Sequence, residues 1–165
     1  MKKVYQKIVD PGNGDCWKCA IASLLDMEYE DVPHFLEYGK HSFSEYRKLL
    51  KQSGYKETDF IWNRKALILD RPTMNCFENI RYHRPSIITP KKLFRYSGVN
   101  GLFYATVYSP KYFTMANRTT HAVIIDRDFN IVHDPNPGYE NIIRYPLSEL
   151  IGYNGIRSIS IIEKI

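Results

Sequence analysis

Long hydrophobic runs are missing from this chain of 165 residues. Nothing approaches the about 20 consecutive apolar residues that a membrane-spanning helix needs, so no membrane partner is expected. Cysteine is scarce, at three residues. That is too few for a disulfide framework and points to a reducing compartment. A secretory leader is not legible either. Met1-Lys2-Lys3 begin like one, but Gln6, Lys7 and Asp10 break the apolar stretch that should follow. A cytoplasmic protein is expected. Internal repeats and low-complexity tracts are also lacking, so the chain reads as ordinary globular sequence.

Acidic residues are outnumbered, 18 against 23 basic ones, for a formal charge of +5 and a pI near 9.0. The basic residues are scattered, and the densest group is Arg81-Tyr82-His83-Arg84. It reads as a solvated loop rather than a nucleic-acid patch, so no nucleic-acid partner is expected. Tyrosine is abundant, with 13 copies. The length suits one domain over residues 1–165, with a helical part over about 14–54 and a sheet over about 100–163.

Val4 to Val9 reads as a short strand, followed by the turn-rich Asp10-Pro11-Gly12-Asn13-Gly14. A helix is expected from Asp15 or Cys16 to about Leu25, rich in alanine and leucine and apolar on most sides. A short helix should run from Glu30 to near Gly39, and another from Phe43 to Ser53. Ser42 and Glu45 offer the latter a capping box, Phe43, Tyr46, Leu49 and Leu50 form its stripe, and Gly54 ends it. Residues 90–97 suit one more short helix behind Pro90. Strands are expected at 102–108, 121–126, 130–134, 142–145 and 156–162, with Ile159 and Ile161 on one face, and further candidates lie at 60–62 and 66–69. Helices first and an antiparallel sheet after make an α+β arrangement.

Cys16 falls at a helix N-terminus, where the dipole and the free N–H groups favour a thiolate. Asp15 beside it acts the other way. Cys16-Trp17-Lys18-Cys19 also fits a redox dithiol or half a zinc site. Only Cys76 remains as a further cysteine, and no second pair completes a metal site, so neither metal nor cofactor is expected and Cys19 reads as helix core.

His121 opens a strand, and Asp134 closes the next. A two-residue turn at Arg127-Asp128 sets these residues directly opposite, with Cβ atoms roughly 4.5–5.5 Å apart. A four-residue turn at 126–129 keeps that register. Asp134 would then fix the tautomer of His121 and stabilise its protonated form. His133 faces the other side of the sheet, and His34, His41 and His83 have no cysteine or carboxylate placed to make them a base. A thiol nucleophile at Cys16, with His121 as base and Asp134 as orienting group, is the constellation these residues offer. Gln6 is the side chain best placed upstream to join the Cys16 N–H as an oxyanion donor, with Asn13 second.

This set resembles the papain-like cysteine peptidase superfamily: a glutamine, a helix N-terminal cysteine, and much later a strand histidine and an aspartate. The nearer likeness is to bacteriocin double-glycine leader peptidases, which carry Gln…Asp-Cys, His-x-Val-Val and Asp-Pro. The corresponding residues here are Gln6, Asp15-Cys16, His121-Ala122-Val123-Ile124 and Asp134-Pro135. Gly14 to Leu25 and Asp31-Val32-Pro33-His34-Phe35 are also similar to small uncharacterised phage and bacterial proteins of that fold. Gln6 stands ten residues ahead of Cys16, wider than is usual in papain-like enzymes, and the Pro-Gly-Asn-Gly loop takes up the difference.

The resemblance implies a papain-like fold and a cysteine-nucleophile hydrolase, with a protein, peptide or small amide as substrate. The same triad also serves acyltransferases and transglutaminase-type enzymes. A third reading keeps the fold without catalysis, as a binding module such as a phage factor directed at a host protein or small ligand.

Overall fold

A computed structural model of the protein describes residues 1–61, 86–87, 90–114, 118–145 and 153–165. The candidate strand at 66–69 and the basic group at 81–84 lie outside them, as does Cys76. The architecture is α+β. Helices α1 (Cys16–Leu24) and α2 (Ser42–Gln52) are joined through a 3-10 segment, Phe35–His41, and a short α3 spans Pro90–Leu93. Among the described residues six strands form one sheet: β1 (Tyr55–Ile61), β2 (Ser86–Ile87), β3 (Phe103–Phe113), β4 (Arg118–Ile125), β5 (Ile131–His133) and β6 (Ile156–Lys164). Their order is β2-β1-β6-β3-β4-β5. All neighbours are antiparallel except β1 and β2.

Strand alternation puts a core on each face. Phe103, Ala105, Val107, Val123, Ile125, Ile159 and Ile161 share one, closed over by Leu93 of α3, Phe129 and Tyr145. Ala122, Ile124 and Ile162 meet Cys19, Ala20, Leu24, Phe35, Tyr46 and Leu50 in the other. The small residues of α1 let it lie close against β4, the strand with which it makes most of its sheet contacts. Trp17 fills the junction of the helices, with its ring 4.8–5.2 Å from those of Phe35, Phe43 and Tyr46.

Four expectations need correction. Residues 4–9 form no strand. Their backbone groups bond to Ser23, Asp15 and Pro135 instead of to a ladder, so the segment is a strap across α1 and the loop after β5. Ser42 lies inside α2, its hydroxyl donating to Gly39 O at 2.5 Å, and His41 holds the cap position without a side-chain bond, so the capping box does not form. Residues 142–145 are not a strand, because Ile142 N turns back to Tyr139 O at 2.8 Å. The sheet also begins well before residue 100, since β1 pairs with β6 along its whole length.

Candidate active site

Helix α1 starts at Cys16, and no side chain caps it, although Asp15 holds the cap position. Its first-turn N–H groups and dipole therefore bear on the Cys16 thiol. Cys16 is half-buried and free; Cys19, one turn on, is free and fully buried. Burial pushes the Cys19 thiol far above its ordinary value, and the charge on Asp15 adds to this. Cys19 points into the core, which leaves it no part in a surface dithiol.

His121 lies near the middle of β4, opposite Val107 of β3. Its Nε2 donates to Asp134 Oδ1 at 2.6 Å, and its ring shares a cleft with the Cys16 thiol. Burial acts to lower its pKa, but the bond to Asp134 and the nearby Cys16 sulfur outweigh this and raise it to about 9. The pairing with Asp134 thus favours the protonated imidazole. The edge of the Tyr139 ring stands against it, with centroids 5.7 Å apart at 88°.

Asp134 does not reach His121 by the expected pairing. β5 pairs Ile124 with His133 and Ile125 with Ile131, with a register shift between the two pairs. Carried on, that register would set position 121 level with Asn136. Instead β5 ends at His133, and the chain turns through Asp134-Pro135. The turn is held by Asn136 N, which donates to Asp134 Oδ1 at 2.7 Å, and by Asn136 Oδ1, which accepts from Gly138 N at 2.9 Å. The carboxylate thus comes to the imidazole from a loop end and not from a facing strand position.

His133 is buried on the other side, as its strand parity requires. Its Nε2 donates to Val4 O at 3.0 Å, and burial keeps its pKa below the ordinary value. His34 bonds Asn13 O at 3.0 Å and so holds the glycine-rich loop, and His41 is exposed.

Gln6, Cys16 and His121 line one narrow cleft of about 70 Å³, with Gly14, Ser109 and Tyr139 among its walls. Gln6 Nε2 donates to Ile8 O at 3.0 Å, which occupies one of its two N–H groups. Asn13 is exposed and its carbonyl is taken up by His34, so Gln6 is the better placed of the two candidate donors. Sequence reasoning missed Tyr139, Asn136 and the bonds that Asp15 makes to the strap. The Asn-Pro-Gly-Tyr run after Asp134-Pro135 carried a turn signal that would have found the first two.

Among the described residues no helix is long and apolar enough to cross a membrane, and no three His, Cys, Asp or Glu side chains converge as a metal-binding set. No family model, curated protein or solved structure matches this chain.

Proposed function

We propose that this protein is a cysteine-nucleophile hydrolase of papain-like fold that cleaves an amide, peptide or isopeptide bond through a thioester acyl-enzyme. The observation that carries the reading is that Cys16, at an uncapped helix start, shares one cleft with His121, whose Nε2 donates to the buried Asp134 at 2.6 Å.

Cys16 Sγ attacks the carbonyl carbon, and the oxygen takes up negative charge facing the Cys16 N–H and the second Nε2–H of Gln6. The adduct collapses as the C–N bond breaks and His121 gives its proton to the departing amine. A thioester remains on Cys16. His121, now neutral, takes a proton from water, whose oxygen attacks the thioester. The carboxylic acid leaves, and the sulfur–imidazolium pair is restored. Asp134 holds the ring throughout.

The test is the rate of Cys16 alkylation by iodoacetamide against pH, in wild type and in His121→Ala. Fast alkylation that persists below about pH 7 and is lost in the variant supports the reading. A simple rise near pH 8.5 or above, the same in both proteins, overturns it.

A further inference from the structure

Aspartate at a helix N-cap ordinarily accepts from the first-turn N–H groups. Asp15 does not. Its carboxylate, on a residue only 1% exposed, turns back to the strap. Oδ2 accepts from Lys7 N at 3.1 Å and from the Tyr29 hydroxyl at 2.7 Å, and Oδ1 accepts from Ile8 N at 3.2 Å. Asp15 N in turn donates to Ile8 O at 3.2 Å. One residue thus grips both the N–H and the carbonyl of Ile8.

That carbonyl is also the acceptor for Gln6 Nε2. A chain of contacts therefore runs from Asp15, through Ile8, to the amide of Gln6. The far side of Gln6 is fixed as well, since its backbone N–H donates to Pro135 O at 2.8 Å, next to Asp134. A carboxylate beside a nucleophilic sulfur disfavours the thiolate, and burying it costs more still. Its three acceptor bonds satisfy that charge and at the same time tie the glutamine arm to the residue adjoining Cys16.

We propose that Asp15, together with Tyr29, is a positioning residue that aims the Gln6 amide at the oxyanion. This rests on the reading of Cys16 as a nucleophile that becomes acylated.

Two reagents separate the effect from thiol reactivity. Iodoacetamide forms its S–C bond as iodide leaves a saturated carbon, with no oxyanion. p-Nitrophenyl acetate acylates sulfur through a tetrahedral oxyanion that expels p-nitrophenolate. The ratio of acylation to alkylation rates at Cys16 therefore reports the oxyanion donors alone, and a change in thiolate population cancels. The ratio is expected to fall about 10-fold or more in Gln6→Ala. It should fall comparably in Asp15→Asn and in part in Tyr29→Phe, and Gln6→Ala/Asp15→Asn should lose no more than Gln6→Ala. If Gln6→Ala lowers the ratio while Asp15→Asn and Tyr29→Phe leave it at the wild-type value, the positioning role is wrong and the hydrolase reading stands. If wild-type Cys16 is not acylated, or Gln6→Ala leaves the ratio intact, the oxyanion assignment fails and takes this inference with it. Should Asp15→Asn not fold, Tyr29→Phe, which keeps the ring between Lys7 and Lys18, decides alone.

Discussion

His121 and Asp134 meet through a single 2.6 Å hydrogen bond with side chains only 7% and 1% exposed. Water competes little for that bond, so removal of the carboxylate should be felt in full at the imidazole. In Asp134→Ala the burial of His121, which lowers its pKa, loses its main opponent. NMR titration of the imidazole C–H should give about 9 in wild type and a clearly lower value in the variant. Asp134→Asn keeps an acceptor without the charge and should fall between. An unchanged titration in Asp134→Ala would break the assignment of Asp134 as the orienting group.

The same shift has a consequence for stability. A histidine whose pKa is raised on folding binds its proton more tightly in the native state. Its contribution is whole below pH 6.5 and is lost as pH rises through about 9. The loss of stability in urea from pH 6 to pH 10 should therefore be larger in wild type than in His121→Gln by roughly 1–3 kcal/mol. A loss of equal size in both proteins would assign it to other groups.

The parts of the fold that were legible are those where one pattern acts alone. Ala20, Ala22 and Leu24 specify α1 through propensity and burial together, and Gly54, at φ +80°, ends the α2 region as a left-handed glycine should. Ile159 and Ile161 do share a face of β6. Where tertiary contacts override local preference, the sequence misleads. Val4 to Val9 has strand composition, yet its N–H groups are claimed by Ser23 and Asp15. β1 is hard to see because Glu57 and Asp59, which share one face of the strand, both lie beside Arg47 of α2 and so hide the usual alternation.

The candidate site shows the same division. Cys16 at a helix start follows from the glycine-rich loop and the helix formers after it. The meeting of His121 with Asp134 was expected from a register that does not occur. It happens because β5 stops at His133 and Asn136 folds the loop back. Long-range register depends on bulges that local residue preferences do not specify.

Ser23 offers a direct probe of the strap. Its hydroxyl oxygen accepts from Val4 N at 2.8 Å, and the hydroxyl donates to Cys19 O at 2.8 Å, all in a fully buried position. Ser23→Ala leaves the Val4 N–H buried without that acceptor, at a cost of about 1–3 kcal/mol. Because the strap carries Gln6, hydrogen exchange at Val4 and Gln6 should quicken as well. Wild-type stability in the variant would show that the strap is not held at this point.

Gly14 tests the close approach of the loop. A Cβ built on it would lie 2.6 Å from the Asp10 carbonyl oxygen and 3.4 Å from Gln6 Nε2. The first neighbour is backbone and cannot swing aside. Gly14→Ala should destabilise by about 1–3 kcal/mol and slow acylation of Cys16 more than its alkylation, since the displaced loop abuts the Gln6 amide. Gly12→Ala, whose Cβ would meet nothing closer than 3.8 Å, is the matched control. Equal effects at the two positions would rule out the steric argument.

Among the described residues, Glu57 is the one carboxylate whose shift runs against habit. Its side chain is 6% exposed between α2 and the sheet. Burial raises its pKa, the neighbouring charge on Asp59 raises it further, and together they outweigh the nearby Tyr46 hydroxyl and Arg47 guanidinium, bringing it to about 8. The native state therefore holds a proton that the unfolded chain releases above its ordinary 4.5. Stability must fall as pH rises from about 4.5 to about 8, the reverse of a salt-bridged carboxylate. Glu57→Gln mimics the protonated form at every pH. It should match wild type near pH 4.5 and exceed it by roughly 1–3 kcal/mol at pH 8 and above, as read by urea unfolding. Because Asp59 is also held by the Ser160 hydroxyl, Asp59→Asn should lower the Glu57 titration rather than abolish it. If Glu57→Gln is less stable than wild type at pH 8, the charged form of Glu57 is the one the fold uses, and Arg47 is then its partner in an ion pair.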